Sequence, residues 1–180
     1  MITDGRRRKG EQRRRQLLDA TMRVIERAGV AAVSQRVVAH EAGVPPSAVT
    51  YYFPAVDDLL VAALADCNDI YLSGLDACAR DADPIAALAR LIADGTGARR
   101  AYVAAEYELF LIAARRPEMQ PEAARWADAV DAFLRPYADD PIVRAGVAAA
   151  VDGLLLRCFV SAEPPSADEV HAVLARLVGH

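Results

Sequence analysis

Seven Lys or Arg residues stand among positions 1–15, Arg13 and Arg14 included, against only two acids. Such a cluster attracts a polyanion and breaks no bonds of its own. A second polar set follows at Ser34, Gln35 and Arg36, and a third at Ser47, Thr50 and Tyr51, just before Tyr52 and Phe53. Hydroxyls, an amide and a guanidinium are the groups that hydrogen-bond phosphates and base edges. Catalysis has little footing. His40, His171 and His180 lack metal-ligand spacing, and the chain has no P-loop, no Gly-x-Ser-x-Gly and no His-Glu-x-x-His. Asp94-Gly95-Thr96-Gly97 looks like a site, but it falls between two helices and reads as a helix end and turn. No metal and no cofactor is expected.

The elements that must carry these residues are helices. Hydrophobic content is 54% with few aromatics (6%) and few β-branched runs, which points to an all-α chain. Periodicity and punctuation predict nine helices, near 11–29, 35–42, 46–53, 56–81, 84–94, 98–115, 121–137, 141–160 and 167–178. Asp83-Pro84, Asp140-Pro141 and Ser166-x-x-Glu169 are helix openings. The N-terminal run 1–15 is the one stretch that reads as a candidate for disorder. The second and third helices are very short and are separated by Gly-Val-Pro. A helix-turn-helix needs a small residue where its helices cross and a residue tolerant of unusual φ in the turn, and Ala39 and Gly43 meet those needs. Val38, Ala42, Val44, Val49 and Phe53 then form the shared core, and Ser47, Thr50 and Tyr51 point outward. Ser34 is placed as the N-cap of the second helix, whose positive dipole end suits a DNA phosphate.

Charge is divided unevenly. Residues 1–54 hold ten Lys/Arg against five Asp/Glu, and residues 55–180 hold eleven against twenty. The expected division is therefore a nucleic-acid-binding domain over 1–54 and a body over 55–180. No uncharged apolar run is long enough to span a membrane, and the basic start is not followed by an apolar segment, which argues against a signal peptide. Cys67, Cys78 and Cys158 have no metal or redox spacing, are odd in number and fall on apolar helical stretches, as buried thiols in a reducing cytoplasm would.

The segment "RRRQLLDATMRVIERAGVAAVSQRVVAHEAGVPPSAVTYYFPAVDDLL" at 13–60 resembles the DNA-binding head of the tetracycline-repressor (TetR) family of transcriptional regulators. The resemblance implies a nine-helix architecture, a three-helix helix-turn-helix head, a helical dimerisation and ligand body, and a double-stranded operator as partner. It puts Ser34, Gln35, Arg36, Ser47, Thr50, Tyr51 and Tyr52 in DNA-contacting positions. The chain departs from the family pattern at Val56, where a phosphate-holding Lys is usual, at Ala55, where a small polar cap is usual, and at Thr50, a common Tyr. An Arg-rich arm entering the minor groove would offset the missing lysine.

The helix at 141–160 carries only Arg144, Asp152 and Arg157 as charges, and they do not gather on one face. A helix apolar nearly all round needs covering on both sides, and a second copy can supply one of them. The expected homodimer surface comprises Ala145, Gly146, Ala149 and Gly153 with Val170, Val173, Leu174 and Leu177. Asn68, Tyr71, Tyr102, Glu106, Tyr107, Phe110 and Trp126 put a few polar groups among apolar ones, as a site for a small, largely apolar effector requires. The expected function is a ligand-responsive repressor. A helical adaptor with a basic tail for acidic partners is the second reading, and it has no need of an outward Ser47, Thr50, Tyr51 face.

Overall fold

The computed structural model describes residues 2–95 and 99–179. Among these there are nine α-helices and no strand: α1 Ile2–Ala28, α2 Gln35–Ala42, α3 Pro46–Tyr52, α4 Val56–Ala79, α5 Pro84–Asp94, α6 Arg100–Ile112, α7 Gln120–Leu134, α8 Pro141–Val160 and α9 Ala167–Val178. Short 3-10 turns lie at Val30–Ala32, Ala113–Arg115 and Pro117–Met119. No single described helix is long and apolar enough to cross a membrane.

The caps explain the boundaries. Asp83 accepts a hydrogen bond from the Ala86 N–H (2.9 Å), Asp140 from that of Ile142 (2.8 Å), and Ser166 with Glu169 forms a reciprocal capping box. Gly29 (φ +78°) ends α1, and Gly43 (φ +66°, ψ +37°) ends α2. At Gly43 the Val44 N–H reaches the Ala39 carbonyl (2.9 Å) and the Gly43 N–H that of His40 (3.1 Å), a Schellman closure that requires left-handed backbone.

One expectation is corrected. The basic run 2–15 is not disordered but forms the first half of α1. Arg, Lys, Glu and Gln are good helix formers, and Arg7 to Glu11 (3.1 Å) and Arg15 to Asp19 (3.0 Å) are stabilising i to i+4 pairs. Two smaller differences follow. α6 closes at Ile112 in 3-10 turns instead of continuing to 115, and α7 ends at Leu134 instead of 137. Ala98, the expected start of the sixth helix, lies outside the described residues, as do Thr96, Gly97 and His180.

The chain packs as two compact units. The first comprises residues 1–67 and 104–120; the second comprises 68–103 and 121–180. These units cut across α4 and α6 and do not follow the functional boundary expected between residues 54 and 55.

In the first unit α1 packs on α2 and α2 on α3. Leu17, Leu18, Val24 and Ile25 of α1 are buried, as are Val38, Ala39, Ala42, Val49 and Phe53 of the helix-turn-helix, while Val44 is half-exposed. Each fully buried Leu or Val side chain contributes roughly 1.5–3 kcal/mol of transfer free energy. The Thr21 hydroxyl, buried in the same face, donates to the Leu17 carbonyl (2.8 Å).

In the second unit α5, α8 and α9 pack together. Their shared core includes Ile85, Leu88 and Ile92, Val147, Val151 and Leu154, and Val170 and Leu174. All three cysteines are buried thiols. Burial pushes the thiols of Cys78 and Cys158 above the ordinary range, which keeps them protonated and unreactive.

Candidate nucleic-acid interface

The helix-turn-helix is held in place from α1. Gln16 donates to the Ala42 carbonyl (2.8 Å), at the turn itself. Arg23 (2.8 Å) and Arg27 (3.0 Å) both pair with Glu41, and their hydrogen bonds hold its carboxyl below the usual glutamate range. Arg14 lies over the Phe53 ring, 5.6 Å from its centroid, a cation–π contact that fixes the end of α3.

The polar set at 34–36 divides by role. Ser34 is the N-cap, its hydroxyl accepting from the Val37 N–H (3.2 Å). The N–H groups of Gln35 and Arg36 therefore stand at the open, positive end of the α2 dipole. Arg36 is exposed. The Gln35 side chain turns inward instead, donating to the carbonyls of Phe53 (2.7 Å) and Pro54 (2.8 Å), and so locks the start of α2 to the exit of α3. Sequence reasoning misses that structural role, because nothing in the spacing of 35 and 53 reveals that the chain returns there.

The third set lies on α3. Ser47, Thr50 and Tyr51 are exposed, Tyr51 at 81%, while Val49 between them is fully buried. Thr50 returns its hydroxyl to the Pro46 carbonyl (3.2 Å), which fixes its rotamer and leaves its methyl and oxygen on the outer face. Tyr52 is half-buried, meets Tyr51 edge-on (centroids 5.1 Å, planes 87° apart), and sets its hydroxyl close beside Gly10 of α1. A shallow cleft results, lined by Arg13, Gly43, Val44, Ser47, Tyr51 and Tyr52. The structure thus brings Arg13, Ser47, Tyr51 and Tyr52 together on one face.

Of the three arginines at 13–15, Arg13 is exposed and bonds along its own helix to Gln16 (3.0 Å), whereas Arg15 is tied to Asp19 and to Asp66 (2.7 Å). At the start of α4 the missing polar cap is replaced from within. Asp58 accepts from the Ala55 N–H (2.9 Å), and Asp57 pairs with Arg116. α3 and α4 meet at a bend of 70°.

The body residues fall in two groups by unit. In the second unit Asn68 is fully buried and donates to the backbone carbonyl (2.8 Å) and carboxylate (2.9 Å) of Glu122, while Tyr71 stacks on Trp126. Tyr102 of the same unit lies under Arg99, 5.5 Å from its centroid. In the first unit Glu106 and Tyr107 are buried, and Tyr107 meets Phe110 at 6.3 Å. That unit also ties α6 to the end of α1, because Glu108 accepts from the Val30 N–H (2.7 Å).

On α8 the residues Ala145, Gly146, Ala149 and Gly153 fall on the side away from the buried Val147 and Val151, and Ile142 (80%), Leu156 (40%) and Val160 (71%) are exposed with them. Val173 and Leu177 of α9 are also exposed, but Val170 and Leu174 are fully buried within the protomer. α9 packs on α5 and α8, so these two residues belong to the internal core instead of an outer face.

Two family models match the chain in tandem. "Bacterial regulatory proteins, tetR family" covers residues 17–63, and "Tetracyclin repressor-like, C-terminal domain" covers 79–180. Among curated proteins the chain is similar to the HTH-type transcriptional regulator BetI of Rhizobium meliloti (strain 1021), at 28% identity over 165 residues, which are 86% of this chain and 81% of BetI. Among solved structures it is similar to the multidrug binding protein EbrR complexed with ethidium, at 38% identity and a TM-score of 0.78, covering 92% of this chain and 97% of that one. EbrR complexes with proflavin and with malachite green match as well. A TetR-family member from Streptomyces coelicolor A3 matches at 37% identity and a TM-score of 0.82, over 93% of this chain and 99% of its own.

Proposed function

The chain belongs to the TetR family of bacterial regulatory proteins, and from that premise we propose that it is a ligand-responsive repressor that binds a near-palindromic operator as a homodimer. As a member of the family it is a transcriptional regulator with a DNA-binding helix-turn-helix, and not an enzyme. Residues 1–54 serve as the DNA-binding domain and residues 55–180 bind ligand and dimerise. The observation that carries the reading is the exposed polar face of α3, with Ser47, Thr50 and Tyr51 beside Arg13 and the open N-terminus of α2. Ser34, Arg36 and Tyr52 complete the set, with Gln35 supporting it from inside. Arg14 contributes its charge from above Phe53. An adaptor would have no use for this face.

Two copies join through the exposed apolar face of α8 and the outer residues of α9, Val173 and Leu177. The joined heads must then reach adjacent major grooves about 34–36 Å apart. α4 runs unbroken from Val56, at the exit of α3, to Ala79. A ligand that favours one tilt of α4 changes the separation of the heads by its differential affinity for the two states. The effector is small, largely apolar and aromatic, in keeping with the dyes bound by EbrR, and within the second unit it is received among Asn68, Tyr71, Tyr102 and Trp126.

Selection of bound duplexes from a genomic library, followed by titration of selected against random DNA at matched salt, tests the reading. Arg36→Ala or Tyr51→Ala should cost about 1–3 kcal/mol on the selected duplex where the side chain reads a base. Equal affinity of the wild-type protein for selected and random duplexes would sink it.

A further inference from the structure

We propose that Thr50 reads a thymine methyl on the floor of the major groove, so that each operator half-site carries a thymine–adenine pair beneath α3. The proposal rests on the reading of the helix-turn-helix as an operator binder and names one feature of the sequence it selects.

The residue types on α3 narrow what it can recognise. Pro46–Tyr52 runs Pro-Ser-Ala-Val-Thr-Tyr-Tyr, with no Arg, Lys, Asn or Gln. Those four are the side chains that grip guanine or adenine by two hydrogen bonds at once, so α3 has no such hold on a purine edge. What it presents is short. Ser47 and Thr50 stand three apart on one face and both are exposed, while Val49 is fully buried against the core. Short side chains let a helix backbone approach base edges closely, and a major groove about 12 Å wide admits the helix.

The Thr50 hydroxyl is already committed. It donates to the Pro46 carbonyl (3.2 Å), one turn back along α3, and that bond fixes χ1 of a side chain with few rotamers to begin with. With its proton spent, Oγ1 can only accept, and it has nothing to donate to guanine O6 or N7. The γ-methyl remains as the group left to read with. Only thymine puts a methyl into the major groove, whereas cytosine offers a bare C5–H beside its amino group. Two methyls that meet there shed water from both surfaces. Thymine is therefore the base that completes Thr50.

Duplexes selected from a random library by the full-length protein define the site. Each thymine is then replaced in turn by deoxyuridine, which lacks only the C5 methyl and still pairs with adenine. At one thymine of each half-site the lost methyl should weaken wild-type binding about fourfold, and about fifteenfold when both half-sites are changed. At the same position a duplex with 5-methylcytosine should bind more tightly than one with cytosine. Thr50→Ser keeps the hydroxyl, removes the methyl, and should lose the preference for thymine over deoxyuridine. Thr50→Val keeps a methyl, removes the hydroxyl, and should retain that preference. Thr50→Ser and deoxyuridine combined should cost little more than either alone, as two halves of one contact do. Circular dichroism of each variant verifies that the helices persist.

A selected site in which every thymine tolerates deoxyuridine would overturn the methyl contact while leaving the regulator reading intact. So would a Thr50→Ser protein that keeps the full preference for thymine, or a Thr50→Val protein that loses it. Wild-type protein that binds selected and random duplexes equally would overturn both.

Discussion

Glu41 sits in the last turn of α2, where the helix dipole disfavours a carboxylate, and it is retained there by two arginines of α1. Their hydrogen bonds lower its pKa in the folded chain. A depressed carboxyl contributes stability that is present above the ordinary glutamate range and is lost as pH falls through the depressed value. Urea midpoints of wild type and Glu41→Gln should therefore differ at neutral pH and converge in acid. A gap equally wide on both sides of the titration would assign the effect to packing. The neighbouring Gln35 shows what residue types conceal. A polar side chain at an exposed helix start reads as a DNA contact, yet its amide nitrogen is the bridge from α2 to Phe53 and Pro54. Gly43 is legible from the sequence, because a Schellman closure admits few other residues.

At the scale of elements, α8 covers only half of itself. Val147, Val151, Leu154, Leu155 and Cys158 are buried, while the opposite side presents Ile142, Gly146, Ala149, Gly153 and Leu156. An added Cβ at Gly153 would meet nothing within 4 Å. Gly153→Arg thus fits the protomer, and replacing a mid-helix Gly should stabilise the helix by roughly 0.5–1 kcal/mol. The variant should nevertheless sediment as a monomer and lose operator binding; a dimer that still binds would remove this face from the interface. Most helices are legible in the sequence because Asp83, Asp140, Ser166 and two glycines mark their ends. α9 is legible as an amphipathic helix but not in its pairing. Periodicity shows that Val170 and Leu174 share a face, and only the fold shows that α5 and α8 already cover it. The helical start of α1 escapes a reading by charge alone, since a basic run looks like solvated tail. Its i to i+4 pairs and good helix formers extend the helix instead.

For the whole molecule, charge is divided along the sequence: residues 1–54 are net basic, as binding to DNA requires, and the remainder is net acidic, which DNA repels. Residues 2–10 contribute four of the cations, on a helix that passes beside Tyr52. Their deletion should flatten the slope of log K against log salt by about 0.9 for each phosphate no longer neutralised, with little change in the preferred sequence. An unchanged slope would show that this turn of α1 stands clear of DNA. The first packing unit also has a history in time. It joins residues 1–67 to 104–120, with Glu108 on the Val30 N–H and Arg116 on Asp57. During synthesis at ~5–20 residues per second, residue 120 is added about 3–10 s after residue 67. For that interval the nascent helix-turn-helix lacks the segment that completes its unit, so a ribosome that stalls before residue 104 leaves behind a reader of DNA that was never finished.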